Sequence, residues 1–134
     1  MNTVKRVGLF AAVGTLGFIA DSAMLYFLKS SIGLYAGRIV SFLFAVVVTW
    51  LFNRFWTFGD RLSQFSASGE LFFYLLLMTA GGSVNYAVYA WLVTVSDTVR
   101  LAPVLGVAAG SLSGMAINFL SARLLIFREK RIFR

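Results

Sequence analysis

The sequence predicts an all-α membrane protein with four transmembrane helices, arranged as two parallel two-helix repeats. The first observation behind this prediction is composition. Of the 134 residues, 60% are hydrophobic and only 13% are charged, whereas an ordinary soluble domain has about 45–50% apolar and about 25% charged residues. The second is that the apolar residues form four blocks, each close to the roughly 20 residues that a helix needs to cross a bilayer. The third is that the two halves of the chain match each other at fixed offsets.

The predicted spans form a single membrane domain over residues 1–134. They cover residues 7–28, 36–58, 71–95 and 102–127. None of them alternates with the period of a β-barrel strand, so a helix is the structure that satisfies the backbone in lipid. The first span also has the basic start and small residues of a signal peptide. We interpret it as a span, because cleavage would destroy the repeat.

Basic residues predict the orientation of the spans. Nine of the twelve lysines and arginines lie near the chain ends or near the turn between the second and third spans. The other three, Lys29, Arg38 and Arg100, lie on the opposite side. Because cytoplasmic segments carry the excess of Lys and Arg, both termini are predicted to be cytoplasmic. The same asymmetry explains the net charge of +7 without a nucleic-acid partner.

The internal repeat relates residues 7–58 to residues 71–127. The offset is 64 in the first helix of each half and 69 in the second. Each half crosses twice from the same side, so the repeat is parallel. The matched pairs include charged and amide residues, which chance similarity between apolar helices explains poorly. They are Asp21 with Asn85, Arg54 with Arg123, Gly17 with Gly81, Gly37 with Gly106, and Ser41 with Gly110.

The residue inventory argues against an enzyme. Cysteine and histidine are both absent, which removes thiolate nucleophiles, the usual zinc ligands and the usual general base. Only five acids remain, and no glycine-rich phosphate loop with a lysine occurs. We therefore predict no catalytic, cofactor or metal site.

Two arginines lie inside predicted spans at equivalent positions. Arg54 and Arg123 each lie about 6 Å inside the cytoplasmic end of a helix. One interpretation is that both side chains snorkel to the interface. The other is that they bind a ligand, because a guanidinium fork fits a phosphate well. Their recurrence in both halves favours the second interpretation.

Asp21 is the acid that lies well inside a span. A charge within a span is a functional candidate, because its burial costs about 2.5–3.5 kcal/mol on insertion scales. The alternatives are a structural pair with Arg38 or a hydrogen bond to a neighbouring Ser or Tyr. Asn85, at the equivalent position, can hydrogen-bond but cannot titrate.

Two stripes of small residues run along the second and fourth helices. Each recurs every four residues and ends at an asparagine close to one of the two arginines. The stripes allow close helix packing, within the monomer or in a homodimer, or they line a groove for a lipid chain or a polar headgroup. They are Ser41, Ala45, Thr49 and Asn53 in the second helix, and Gly106, Gly110, Gly114 and Asn118 in the fourth.

These motifs together resemble the GtrA-like family of small four-helix membrane proteins. The resemblance covers nearly the whole chain and is strongest at NRFWTF, residues 53–58, which closes the second span. The sequence INFLSARLLIF, which closes the fourth span, is a looser copy, because Leu124, Leu125 and Ile126 stand where an aromatic or basic residue is common in the family. Asp21 in the first helix also fits the family pattern.

The resemblance implies a translocase that flips a polyprenyl-phosphate-linked monosaccharide across the bacterial inner membrane. A cytoplasmic glycosyltransferase would supply this lipid, and a periplasmic transferase would use it on a polysaccharide. Arg54 and Arg123, with the adjacent Asn53 and Asn118, would meet the phosphate. Asp21, Asn85 and Arg38 would contact the sugar, receive the phosphate on the outer side, or couple transport to a gradient.

Two other functions are compatible with the sequence. The protein could be a membrane anchor for a glycosyltransferase, since a related four-helix domain is fused as a membrane module to some dolichol-phosphate mannose synthases. It could instead be a proton-coupled exporter of small cations that uses Asp21. Cationic side chains within the spans argue against an exporter, because they would repel a cationic substrate.

Overall fold

The computed structural model describes residues 1–61 and 63–126, and in that part of the chain all regular structure is helical. The α-helices are α1 (Thr3–Phe52), α2 (Ala67–Val95), α3 (Asp97–Leu101) and α4 (Val104–Ser121). Two of them continue as π-helical turns: α1 through Asn53–Thr57 and α4 through Ala122–Ile126.

Helix α1 is broken at Gly33. That residue has φ 83° and ψ 178°, a backbone conformation that is essentially restricted to glycine. The chain folds back there, so that the first arm (residues 3–32) lies along the second arm (residues 34–52). Two contacts show this: Asp21 pairs with Arg38 across the arms, and a Cβ added to Gly17 would collide with Thr49.

The prediction of an all-α membrane protein is confirmed. Among the described residues, two helical stretches are long and apolar enough to cross a membrane, Thr3–Thr57 and Ala67–Val95. A third stretch, formed by Val104–Met115 and Ile117–Ile126, is also long and apolar enough if its two pieces are counted as one span. The two pieces are bent by 43° relative to each other. The two arms of α1, α2 and α4, with their π-helical turns, overlap the four predicted spans. That each of them crosses the bilayer separately stays a prediction.

Helices α1 and α2 begin earlier than the apolar blocks, because polar side chains cap them. The Asn2 side chain accepts a hydrogen bond from the Lys5 backbone, and the Ser66 side chain accepts one from the Gly69 backbone. Such caps satisfy amide groups that have no partner within the helix. Pro103 separates α3 from α4, and Phe127, the last residue of the predicted fourth span, lies outside the described residues.

Contacts within the two halves occur at equivalent positions. The two π-helical turns begin 69 residues apart, at Asn53 and Ala122. Glycine contacts recur at the offsets of 64 and 69: Gly37 beside Leu25 corresponds to Gly106 beside Tyr89, and Gly17 beside Thr49 corresponds to Gly81 beside Asn118. These equivalences support the predicted repeat.

The buried apolar side chains form two clusters with polar residues between them. One cluster lies near the predicted cytoplasmic end and includes Phe10, Trp50 and Tyr74. The other lies toward Gly33 and includes Leu25 and Tyr89. Residues that fall between these clusters along the helices include the sequence-predicted Asp21, Arg38 and Asn85.

Arg6 ties the start of α1 to the end of its second arm. The buried guanidinium donates to the Thr57 carbonyl oxygen at 3.0 Å and to both carboxylate oxygens of Asp60 at 3.0 and 3.1 Å. The hydrogen bond from Arg6 lowers the pKa of Asp60 to about 2. This contact holds the two ends of the hairpin together.

Candidate functional site

Three of the predicted site residues meet in one buried cluster. Arg38 Nη1 donates to both carboxylate oxygens of Asp21 at 2.7 Å, and Arg38 Nη2 donates to Asn85 Oδ1 at 2.6 Å. The residues come from the first arm, the second arm and α2. All three side chains are buried: Asp21 is 3% exposed, Arg38 is 1% exposed and Asn85 is 5% exposed. The alternative that Asp21 pairs with Arg38 is therefore what the structure shows.

Hydroxyl groups and aromatic rings complete the surroundings of Arg38. Ser41 lies 3.5 Å from Arg38 Nη1, and Ser111 lies 3.5 Å from the Asn85 amide nitrogen. The guanidinium carbon is 5.3 Å from the centre of the Tyr89 ring. Because charges are costly to bury, the opposite charge and these polar groups are what keep the cluster inside the protein.

A cavity of about 310 Å³ leads from this cluster toward the predicted cytoplasmic end. On the first arm it extends from Phe10 to Asp21, a distance of about 16 Å along the helix. Most of its wall is apolar, and its polar lining residues are Thr15, Asp21, Thr49, Tyr74, Asn85, Ser111 and Asn118.

The cavity opens on the side of the bundle between the first arm and α4. The lining residues there are exposed: Ala11 and Thr15 on the first arm, and Leu112 and Met115 on α4. In a membrane protein, this position faces the lipid. The cavity therefore extends from this lipid-facing side toward the buried polar cluster.

The two predicted asparagines have different surroundings. Asn118 lines the cavity, and its Oδ1 is buried with no hydrogen-bond donor among the described residues. Asn53 is not a lining residue. Its amide donates to the Tyr74 hydroxyl at 3.0 Å, and its oxygen accepts from the Thr57 hydroxyl at 2.7 Å. Asn53 thus holds the π-helical turn against α2.

The structure does not bring the two predicted arginines together. Arg54 Nη1 lies 3.2 Å from Glu70 Oε2 at the start of α2, with its guanidinium 5.6 Å from the Trp50 ring centre. Arg123 Nη2 donates to the Thr3 hydroxyl at 3.2 Å, at the start of α1. Each arginine therefore contacts the first helix of the other half.

Glu70 is a site residue that the sequence did not single out. It is 1% exposed, and its Oε1 accepts from the Trp50 indole at 2.9 Å. The available signal was its position in the first turn of α2, after the Ser66 cap, where a carboxylate is favoured by the helix dipole. Among the described residues, no three acidic side chains come together as metal ligands.

Comparison with known proteins identifies the family. The model of the GtrA/DPMS transmembrane domain matches residues 9–127. Searches of curated proteins and of solved structures gave no match. Because the matched residues include both arms of α1, α2 and α4, the chain belongs to the GtrA/DPMS transmembrane domain family.

Proposed function

We propose that the protein moves a polyprenyl-phosphate-linked monosaccharide across the bacterial inner membrane, for modification of a cell-surface polysaccharide. The observation that carries this proposal is the cavity that opens toward lipid and ends at Asp21, Arg38 and Asn85. Such a cavity suits a molecule with a polar head and a long apolar tail. Membership of the GtrA/DPMS family supports a substrate of this class.

The polar lining suits a sugar. Sugar hydroxyls both donate and accept hydrogen bonds, and the cavity presents acceptors at Asp21 and Asn118 and a hydroxyl at Ser111. Its volume of about 310 Å³ is at the lower end of ligand pockets, which are about 300–1,000 Å³. This size suits a monosaccharide better than an oligosaccharide. The tail would remain in lipid beside Leu112 and Met115.

The phosphate would first meet Arg123. That residue lies about 7.5 Å beyond Asn118 along the helix, toward the predicted cytoplasmic face. Among the described residues, its guanidinium donates to the neutral Thr3 hydroxyl and not to a carboxylate, so its charge is available to an anion. Arg54 is already paired with Glu70, and a phosphate would have to compete with that carboxylate. In this proposal Asn118 contacts the sugar, whereas Asn53 has a structural role.

Orientation and partners follow from the same proposal. The nine lysines and arginines at one side of the predicted spans favour a cytoplasmic location for both termini. A cytoplasmic glycosyltransferase would supply the lipid-linked sugar, and a periplasmic transferase would consume it. The protein itself would perform no covalent chemistry.

Of the two competing functions, the membrane anchor is the stronger. An anchor needs only the outer apolar surface of the bundle and leaves the cavity without a role. The cation exporter is disfavoured by a specific contact, because Arg38 already neutralises the negative charge of the Asp21 carboxylate.

A vesicle assay with matched variants tests the proposal. Purified protein would be reconstituted into phosphatidylglycerol–phosphatidylethanolamine vesicles, and entry of citronellyl-phosphate-linked glucose would be measured as a water-dispersible substrate analogue. Gly14 lines the cavity, Gly8 does not, and a Cβ at either meets no atom within 4 Å. We expect Gly14→Leu to reduce entry at least tenfold and Gly8→Leu to leave it unchanged.

Entry no faster than in protein-free vesicles would contradict translocation and favour the anchor. Full activity of Gly14→Leu would show that the substrate does not use this cavity.

A further inference from the structure

A second crevice, of about 360 Å³, lies between the second arm of α1 and α2. Its wall is mostly apolar, like that of the first cavity. The residues that matter here are Arg38, Ile39 and Phe42 on the second arm, and Thr79, Ser83 and Tyr86 on α2.

The second crevice corresponds to the first cavity through the repeat. Residues that line it match residues that line the first cavity at the offsets of 69 and 64. The pairs are Ile39 with Ala108, Phe42 with Ser111, Leu43 with Leu112, Thr79 with Thr15, and Gly82 with Phe18. Each crevice therefore lies between one helix of each half, and the repeat relates the first-arm/α4 crevice to the α2/second-arm crevice.

Arg38 and Phe42 form the wall between the two spaces. Phe42 lines both of them. Arg38 lines the second crevice, while its two amino groups bind Asp21 and Asn85, which line the first. Its Nε is buried and has no hydrogen-bond acceptor among the described residues. A buried donor without a partner is costly, so this group favours a ligand that accepts a hydrogen bond.

The other polar groups of the crevice select the kind of ligand. The Thr79 and Ser83 hydroxyls donate to the carbonyl oxygens of Leu75 and Thr79, at 2.9 and 2.7 Å, which leaves their lone pairs as acceptors. The charge of Arg38 is balanced by Asp21. A phosphate, which mainly accepts, fits this set poorly. Hydroxyl groups, which donate and accept, fit it well.

We propose that the second crevice is a second binding site for the sugar of the lipid-linked substrate, with the Arg38 Nε and the α2 hydroxyls as its polar contacts. This inference rests on the proposed function and adds to it that one chain holds two sugar headgroups, one on each side of Arg38 and Phe42.

Native mass spectrometry with two probes tests the second site. The probes are citronellyl-phosphate-linked glucose and bare citronellyl phosphate, each titrated into detergent-solubilised protein. Wild type should bind two molecules of the glucosylated lipid, and Ser83→Trp should bind one. Val84→Trp is the matched control, because Val84 lies next to the crevice but does not line it. This control variant should still bind two molecules. Gly14→Leu should also bind one, and Gly14→Leu combined with Ser83→Trp none. The number of bare lipids bound should be the same in wild type and Ser83→Trp.

The outcomes separate the two proposals. One molecule bound by wild type, lost in Gly14→Leu and kept in Ser83→Trp, would overturn the second site and leave the proposed function standing. No binding of the glucosylated lipid at all would overturn both. Equal loss of the two probes in Ser83→Trp would overturn the sugar preference. Thr79→Phe fills the same crevice and replaces Ser83→Trp if that variant does not fold.

Discussion

Arg38 has its charge neutralised by one neighbour, while a different edge of its guanidinium borders a second space. Asp21 takes both hydrogen bonds of Nη1, Asn85 takes that of Nη2, and Nε is left over. The cluster is therefore a buried ion pair in which one donor, the Arg38 Nε, has no partner among the described residues. Sequence alone left these roles as alternatives for Asp21, because the position of Arg38 within its helix does not say which helix it faces.

Replacing Asp21 by asparagine separates stability from transport. Removing one partner of a buried pair typically costs about 3–5 kcal/mol, and we expect the lower end because the asparagine oxygen can still accept from Arg38. The double variant Asp21→Asn with Arg38→Gln should recover part of that loss. Both variants should fail to move the sugar if the carboxylate contacts it. Thermal unfolding and vesicle entry, measured on the same samples, check this, and full entry by Asp21→Asn would end the functional role of the carboxylate.

The two equivalent arginines should respond differently to mutation. Arg54→Gln leaves the buried Glu70 carboxylate without its cation, so it should lower the melting temperature, and Arg54→Gln with Glu70→Gln should restore part of it. Arg123→Gln loses one hydrogen bond to an exposed partner, so its stability should change by less than about 1 kcal/mol. Citronellyl phosphate binding should weaken in both single variants. Unchanged affinity in the double Arg54→Gln, Arg123→Gln variant would leave both residues as interfacial anchors.

The lowered pKa of Asp60 predicts that acid weakens the contact between the two ends of the α1 hairpin. Its pKa is lowered to about 2 in the folded protein by the Arg6 hydrogen bond, below the unfolded value near 3.9. A lowered folded pKa means that the contribution to stability is complete above about pH 4 and is lost as the pH falls toward 2. Unfolding measured from pH 5 to pH 2 should show a smaller decline for Asp60→Asn than for wild type. Parallel declines would show that the contact does not contribute.

At the scale of single elements, Gly33 decides how the first half of the chain folds. The apolar blocks predicted two spans separated by a polar segment, but the helix continues to residue 32 and resumes at residue 34. Hydropathy indicates which residues prefer lipid, but it does not indicate where the backbone hydrogen bonds of a helix end. The turn therefore depends on one glycine rather than on a loop.

Gly33→Ala should destabilise the hairpin. No atom lies within 4 Å of the added Cβ, so the cost is conformational, about 1–3 kcal/mol for a residue in this region. Gly8→Ala is the matched control: its surroundings are equally open and its φ is helical, so stability should stay the same or rise by up to about 1 kcal/mol. Melting temperatures in detergent would compare the pair. Equal melting temperatures would contradict the assigned turn.

The π-helical turns show what spacing in the sequence did and did not reveal. The offset of 69 matched Arg54 with Arg123 and also relates Asn53 to Ala122, the first residues of the two turns. Such turns are common at functional positions. Sequence spacing could not foresee the extra residue in the turn, nor that Asn53 would use its side chain on Tyr74 and Thr57 while Asn118 faces the cavity.

At the scale of the whole molecule, composition was sufficient for the fold class, and the repeat singled out paired residues as candidates. They were not sufficient for the partners of those residues. Glu70 lies between the second and third predicted spans in the sequence, yet it is buried against Trp50 and Arg54. Burial of a polar side chain depends on how helices distant in sequence pack, so it becomes visible only in the assembled bundle.

The bundle as a whole provides two crevices that share the wall formed by Arg38 and Phe42. The first opens to lipid between the first arm and α4 and contains the larger set of polar groups. In the proposed function, a lipid-linked sugar enters this cavity with its headgroup directed at the buried cluster.

Photocrosslinking of the headgroup tests that claim most directly. Citronellyl-phosphate-linked glucose with a diazirine on the sugar would be irradiated with the protein in vesicles, and the modified residues identified by peptide mass spectrometry. We predict crosslinks within residues 11–21 and 108–118, reduced several-fold by excess unlabelled lipid and by Gly14→Leu. Crosslinks confined to exposed outer residues such as Phe72 and Leu76, unaffected by competitor, would contradict the account.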